Sequence, residues 1–174
     1  MARRKLSGKK GQALELSRYT IALIISMANK LNGGASAQLL EKFGIGVEAW
    51  RVMAMIVAIG HEITAQQVCQ FSGMDKGAVS RTFRSMEDKE LIVLRTDEED
   101  GRLKLAMVTP KGKKMHDLIV DFQLEREKSL LSVLSPAEVE VFIDLLSRTR
   151  ANLPNVDLEA AAYVKKYWQS LKPI

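Results

Sequence analysis

The chain has 174 residues, 47% of them hydrophobic and 27% charged, enough apolar material for one domain or two closely fused subdomains with a real core. Its 26 basic groups against 21 acidic ones leave a net charge of +5 and a pI near 9.3, a balance that favours an acidic partner such as nucleic acid. A single cysteine, Cys69, excludes an internal disulfide framework and points to a reducing compartment.

The excess charge is local. Arg3, Arg4, Lys5, Lys9 and Lys10 fall within the first ten residues with no acid among them, so the rest of the chain is neutral. Residues 1–13 are expected to form a basic flexible arm, and any basic face on the folded body must arise by segregation of charges. The basic start, the run TIALIISMA and the small residues Ala35, Ser36 and Ala37 imitate a secretory signal. Glu15 and Arg18 interrupt its approach, and Lys30 and Asn32 separate the apolar run from the small residues. With no apolar run near the ~18 residues of a membrane span, the expected location is cytoplasmic, with no membrane partner.

From Leu14 to about Phe43, Leu16, Tyr19, Leu23, Met27, Leu31, Leu39 and Leu40 recur at helical spacing. Asn32-Gly33-Gly34 either breaks this stretch into two helices or sits in one long helix where another backbone comes close; the long helix is the preferred reading. Gly44-Ile45-Gly46 ends it, and a second helix runs through Trp50, Met53, Val57 and Ile59.

Thr64 is placed to cap a short third helix, and Asp75 a fourth that reaches about Lys89, with Ser72-Gly73-Met74 turning the chain between them. Short helix, glycine-containing turn, second helix is the helix-turn-helix pattern. Residues 91–95 and 102–108 then alternate like strands, Ile92 with Leu94, and Leu103 with Leu105 and Met107. The Asp100-Gly101 pair between them predicts a hairpin. Thr109 to Gly112 stops the second strand, and helices follow over about 113–132 and 136–151. Ser135, Pro136 and Glu138 form the start of the latter. Pro154 ends that unit, and an amphipathic stretch from Leu158 to Leu171 predicts a last helix.

Catalytic chemistry finds little support. His61 and His116 stand outside any metal-ligand spacing, with Cys69 they make no zinc pattern, and no nucleophile elbow, phosphate loop or dinucleotide fingerprint is present. Neither an enzyme activity nor a cofactor is expected. The acidic run Thr96-Asp97-Glu98-Glu99-Asp100-Gly101 fails as a calcium loop. With Gly101 at the sixth position, Thr96 and Met107 occupy the first and twelfth, where Asp and Glu are needed. Cys69, spaced to face the core or its edge, is expected to be an inert, buried thiol.

Residues 75–85 carry more. On a helix starting near Asp75, Val79, Phe83 and Met86 share one side, and Lys76, Gly77, Ser80, Arg81 and Arg84 fall largely on another. The small residues at 77 and 78 allow close approach to a surface, while Ser80 and Arg81 offer hydrogen bonds to base edges or phosphates. A solvated helix face is the competing reading of the same pattern.

These segments together resemble the MarR (multiple antibiotic resistance regulator) family of winged-helix transcriptional regulators over roughly residues 14–150. The most specific parts are Val79-Ser80-Arg81, and Asp100 and Arg102 followed by Thr109, Lys111 and Gly112. The resemblance implies a mainly α fold with a small β-hairpin. The winged helix-turn-helix would occupy 44–112, and residues 14–43 and 113–174 would form the helices that intertwine in a homodimer.

It further implies a transcriptional regulator, expected to be a repressor, that binds a pseudo-palindromic site in double-stranded DNA with recognition helix 75–89 in the major groove and Arg102 in the adjacent minor groove. The implied DNA-binding set is Lys76, Gly77, Ser80, Arg81, Arg84, Asp100 and Arg102. Asp100 would brace the Arg102 guanidinium, since an arginine held by a carboxylate loses less freedom on entering a narrow groove. Many relatives release DNA on binding a small aromatic or carboxylate-bearing ligand. Gly46 stands where relatives often carry serine or threonine, and the segment after Pro154 extends past the usual end, where it would add to the dimer interface. The alternative function is a winged helix used as a protein-interaction module.

Overall fold

Thr20–Phe43 form one uninterrupted helix, α1, so Asn32-Gly33-Gly34 does not break it. The computed structural model describes residues 14–169; the basic arm and the last part of the Leu158–Leu171 stretch lie outside them. A single 3₁₀ turn, Leu16–Arg18, precedes α1 and occupies the start of the predicted helix. The chain divides into two compact units between Val120 and Asp121.

In the first unit, α2 (Val47–Ile59) follows α1, then β1 (Ile63–Thr64), α3 (Ala65–Ser72), α4 (Lys76–Asp88), β2 (Ile92–Thr96) and β3 (Lys104–Val108). The three strands form one antiparallel sheet in the order β1-β3-β2. Strand β1 is the element not foreseen: its two residues pair with Leu105 and Ala106, more than forty residues on in sequence. Register in the hairpin sets Ile92 opposite Val108 and Leu94 opposite Ala106, and this face packs inward, with Ile92 and Ala106 buried. Leu103, Leu105 and Met107 do share a face, but it is the outer one: Met107 is 40% exposed, as is its ladder partner Val93 at 50%.

Leu39, Met53, Ile63, Val68, Val79, Met86, Leu91 and Ile119 are fully buried and tie α1, α2, α3, α4, the sheet and α5 into one core. Each contributes about 1.5–3 kcal/mol relative to an exposed side chain. The N-terminal part of α1 is different. Ile21, Leu23, Ile24, Ile25 and Met27 are all exposed, so the helical apolar spacing there describes a face that the protomer does not cover.

Helix α5 spans Pro110–Leu131 and begins three residues earlier than expected. Thr109 is the reason: its backbone N–H donates to the Leu91 carbonyl at 3.0 Å, its hydroxyl donates to the carbonyls of Glu90 and Leu91, and that hydroxyl oxygen accepts from the Gly112 N–H. Thr109 to Gly112 therefore end β3 at Val108, as expected, and at once open α5, with Thr109 preceding its first turn. Gly112 is obligatory at this junction, because a Cβ there would lie 2.0 Å from the Leu91 carbonyl oxygen. Glu90, at φ 60°, is the one described non-glycine residue with left-handed backbone.

The second unit contains the rest of α5, then α6 (Pro136–Ala151) and α7 (Leu153–Tyr167). Ser135 and Glu138 make the expected capping box. Pro154 lies in the first turn of α7 and does not separate it from α6 by a loop, since a missing N–H costs nothing in a first turn. No residue of α6 or α7 is buried. No described helix is long and apolar enough to cross a membrane.

Candidate nucleic-acid interface

The turn between α3 and α4 is built from local hydrogen bonds. Thr64 and Gln67 form a capping box at the start of α3. At its end Gly73, in left-handed backbone at φ 71°, donates to the Cys69 carbonyl at 2.9 Å, a conformation that favours glycine. The Ser72 hydroxyl donates to the Val68 carbonyl and accepts from the Met74 N–H. Asp75 then caps α4, its Oδ1 accepting from the Ala78 N–H at 2.8 Å. Val79, Phe83 and Met86 are buried, fixing the roll of α4 about its axis. The opposite side presents Lys76, Gly77, Arg81 and Arg84 to solvent, with Ser80 half-buried at the margin.

The hairpin tip is organised by its acids. The Asp97 carboxylate accepts from the backbone N–H groups of Glu99 and Asp100, at 2.9 and 2.8 Å. Asp97 is thus a structural member of the loop, in contrast to Glu98 and Glu99, which remain exposed. Asp100 does not meet the Arg102 guanidinium. Its Oδ1 accepts from the Arg102 backbone N–H at 3.0 Å, and its carbonyl accepts from the Leu103 N–H. Two-residue spacing brings the backbone donor within reach first, so the expected brace acts on the turn that carries Arg102 and, among the described residues, leaves its side chain without an ion pair.

The distribution of ion pairs sorts the arginines. Arg95 is bonded to Glu62, which holds the guanidinium pKa above its usual value, and Arg148 is bonded to Asp144. Among the described residues, Arg81, Arg84 and Arg102 take part in no ion pair. All three are exposed, two on α4 and one at the hairpin tip. Unpaired guanidinium groups on a protruding helix and loop are suited to phosphate and base-edge contacts.

Other candidate residues fall elsewhere. No metal-binding cluster of His, Cys, Asp and Glu exists among the described residues. His61 is exposed, and Cys69 is half-buried rather than sealed in the core. His116 stacks on Trp50 with ring centroids 5.2 Å apart, its Nδ1 2.9 Å from an Asp117 carboxylate oxygen. Beside Trp50 lies a groove of about 450 Å³ on α2 and α3, walled by Arg51, Met55, Ile59 and Phe71 among others. Arg51 is steadied there by Asn32 of α1, to whose side-chain oxygen it donates. Sequence reasoning did not single out this groove, because its walls come from two helices, α2 and the end of α3, that only the fold brings together.

A profile described as MarR family matches residues 43–103, from the end of α1 to the wing. Over 155 residues the chain is 26% identical to the uncharacterized HTH-type transcriptional regulator YdgJ of Bacillus subtilis (strain 168), a match covering 87% of this chain and 92% of that protein. Among solved structures, a MarR/EmrR family transcriptional regulator from Acinetobacter sp. ADP1 matches with a TM-score of 0.75 and 32% identity, over 82% of this chain and 99% of that one. The S. aureus MepR chain from a MepR–DNA complex matches with a TM-score of 0.67 and 26% identity, over 75% of this chain and 95% of that one.

Proposed function

The chain belongs to the MarR family of winged-helix transcriptional regulators, and from that premise we propose that it acts as a homodimeric repressor of a pseudo-palindromic DNA site. The observation that carries this reading is the set of unpaired, exposed guanidinium groups of Arg81, Arg84 and Arg102 on α4 and the wing. Helix α4 enters the major groove with Lys76, Gly77, Ser80, Arg81 and Arg84 facing the bases and phosphates. The wing carries Arg102 to the adjacent minor groove, with Asp100 shaping the turn beneath it. Half-sites then lie about one helical turn apart, on the order of 10 base pairs.

Dimerisation is supported by apolar surface that the protomer leaves open: Ile21, Ile24 and Ile25 on α1, and Val156, Tyr163 and Val164 on α7. Contiguous apolar faces of this kind mark interaction sites. We assign 14–43 and 113–174 to the dimerisation region and 44–112 to DNA binding. The groove beside Trp50, with apolar walls and the Arg51 cation, suits a small aromatic carboxylate whose binding releases DNA.

Selection of duplexes from a random pool by the purified chain, followed by footprinting and sedimentation, tests the reading. A palindromic footprint occupied by a dimer is the expected result. Dimeric protein without sequence preference would favour the protein-interaction alternative.

A further inference from the structure

Gly77 stands at the second position of α4, in its exposed first turn, where glycine is a poor helix former. The surroundings supply a reason for it. A Cβ at Gly77 would lie 3.1 Å from Asp75 Oδ1 and 3.3 Å from Arg81 Nη1. The carboxylate is already committed to the Ala78 N–H at 2.8 Å, whereas the guanidinium ends a long, exposed side chain. Helical side chains lean toward the N-terminus, and Arg81 follows this rule until its Nη1 reaches the bare backbone of Gly77, one turn earlier. The guanidinium therefore occupies the leading end of α4, with no ion pair among the described residues.

We propose that Gly77 is a specificity-determining residue: by leaving the first turn bare, it gives Arg81 the room to present its guanidinium at the tip of α4, where it reads the edge of a guanine. The chemistry matches. Two parallel N–H donors on one plane complement the O6 and N7 acceptors of guanine in the major groove. Adding a methyl group at position 77 displaces the fork sideways by a few tenths of an ångström or more, without removing its charge. General attraction to the duplex survives such a change, while the two-bond fit does not. This inference rests on the placement of α4 in the major groove given above.

The test begins with a duplex selected from a random pool by the full-length wild-type chain. Each guanine of its half-site is then replaced by 7-deazaguanine, which removes the N7 acceptor. At one guanine the wild-type chain loses roughly five- to a hundredfold in affinity. Arg81→Ala shows no such loss at that position, and Gly77→Ala a much reduced one, each loss taken relative to the same variant's affinity for the duplex with unmodified guanine. Arg81→Met keeps much of the stem and carries no donor, so it loses N7 dependence even if alanine at 77 disturbs the Asp75 cap. The proposal is overturned if Gly77→Ala retains the full N7 dependence, or if no guanine distinguishes wild type from Arg81→Ala. A wild-type chain that selects no sequence at all defeats the DNA-reading assignment itself, a result separable from both.

Discussion

The Asp100 carboxylate accepts a hydrogen bond from the Arg102 backbone N–H at 3.0 Å, and among the described residues no ion pair joins it to the guanidinium. Asp100 is therefore a turn-shaping residue whose charge is incidental to its bond. Asn offers the same acceptor oxygen without the charge, so Asp100→Asn preserves the wing and leaves DNA affinity equal or slightly higher, with one less negative charge near the phosphates. Asp100→Ala frees the Arg102 N–H and lowers affinity by about 1 kcal/mol, or roughly fivefold. Fluorescence anisotropy on a selected duplex separates the two. Equal losses in both variants would restore the carboxylate–guanidinium brace.

The close approach of Gly112 to the Leu91 carbonyl makes the start of α5 intolerant of any side chain. That carbonyl is held by both the Thr109 N–H and its hydroxyl, so it has little room to move away from the 2.0 Å approach of a new Cβ. Gly112→Ala destabilises the protein by about 3 kcal/mol, measured by denaturant unfolding. A change below about 0.5 kcal/mol, the usual scatter of surface substitutions, would refute the close approach.

Glu90 offers the opposite case. Its left-handed backbone carries strain of order 1 kcal/mol, and the Lys111 ion pair that its side chain makes is exposed on both sides, a type of interaction worth little. Glu90→Gly raises stability by about 0.5–1 kcal/mol, and Lys111→Ala alone changes it by less. A lower melting temperature for Glu90→Gly would mean that the ion pair outweighs the strain.

Three carboxylates fix the direction of acid sensitivity. Glu138 is held below its usual pKa by hydrogen bonds from the Ser135 backbone N–H and hydroxyl, Glu90 by Lys111, and Asp117 by Lys113 and then His116. A lowered folded pKa means that the charged form is favoured in the native state. The stability it contributes is present above the unfolded-state value and is lost as pH falls through the ordinary carboxylate range to the lowered value. Melting temperatures recorded from pH 7 to pH 3 should fall on acidification, with a shallower fall for Glu138→Gln. An unaltered profile for that variant would remove Glu138 from the account.

Much of the fold is written locally and was legible for that reason. Thr64 with Gln67, Ser135 with Glu138, and Asp75 all cap the helices they precede, because a cap needs only residues within one turn. The Val79, Phe83 and Met86 face was likewise set by spacing alone. What escaped depends on distant partners. Strand β1 exists because Ala106 and Leu105 lie beside Ile63 and Thr64, and α5 starts as early as Pro110 because the Leu91 carbonyl anchors Thr109. Periodicity in α1 identified an apolar face but not what covers it. At the candidate site the arginines were visible as a cluster, while the absence of ion partners for them, the bond Asp100 makes and the groove beside Trp50 required three-dimensional placement.

The central claim is that α4 and the wing neutralise DNA phosphates through unpaired arginines, and the salt dependence of binding tests it most directly. Affinity for a selected duplex should fall steeply with salt for the wild-type chain. For Arg84→Ala and Arg102→Ala the slope of log K against log salt should flatten by on the order of 1 for each phosphate that is no longer neutralised. Slopes that coincide with wild type in both variants would contradict the assignment of these arginines to the DNA interface.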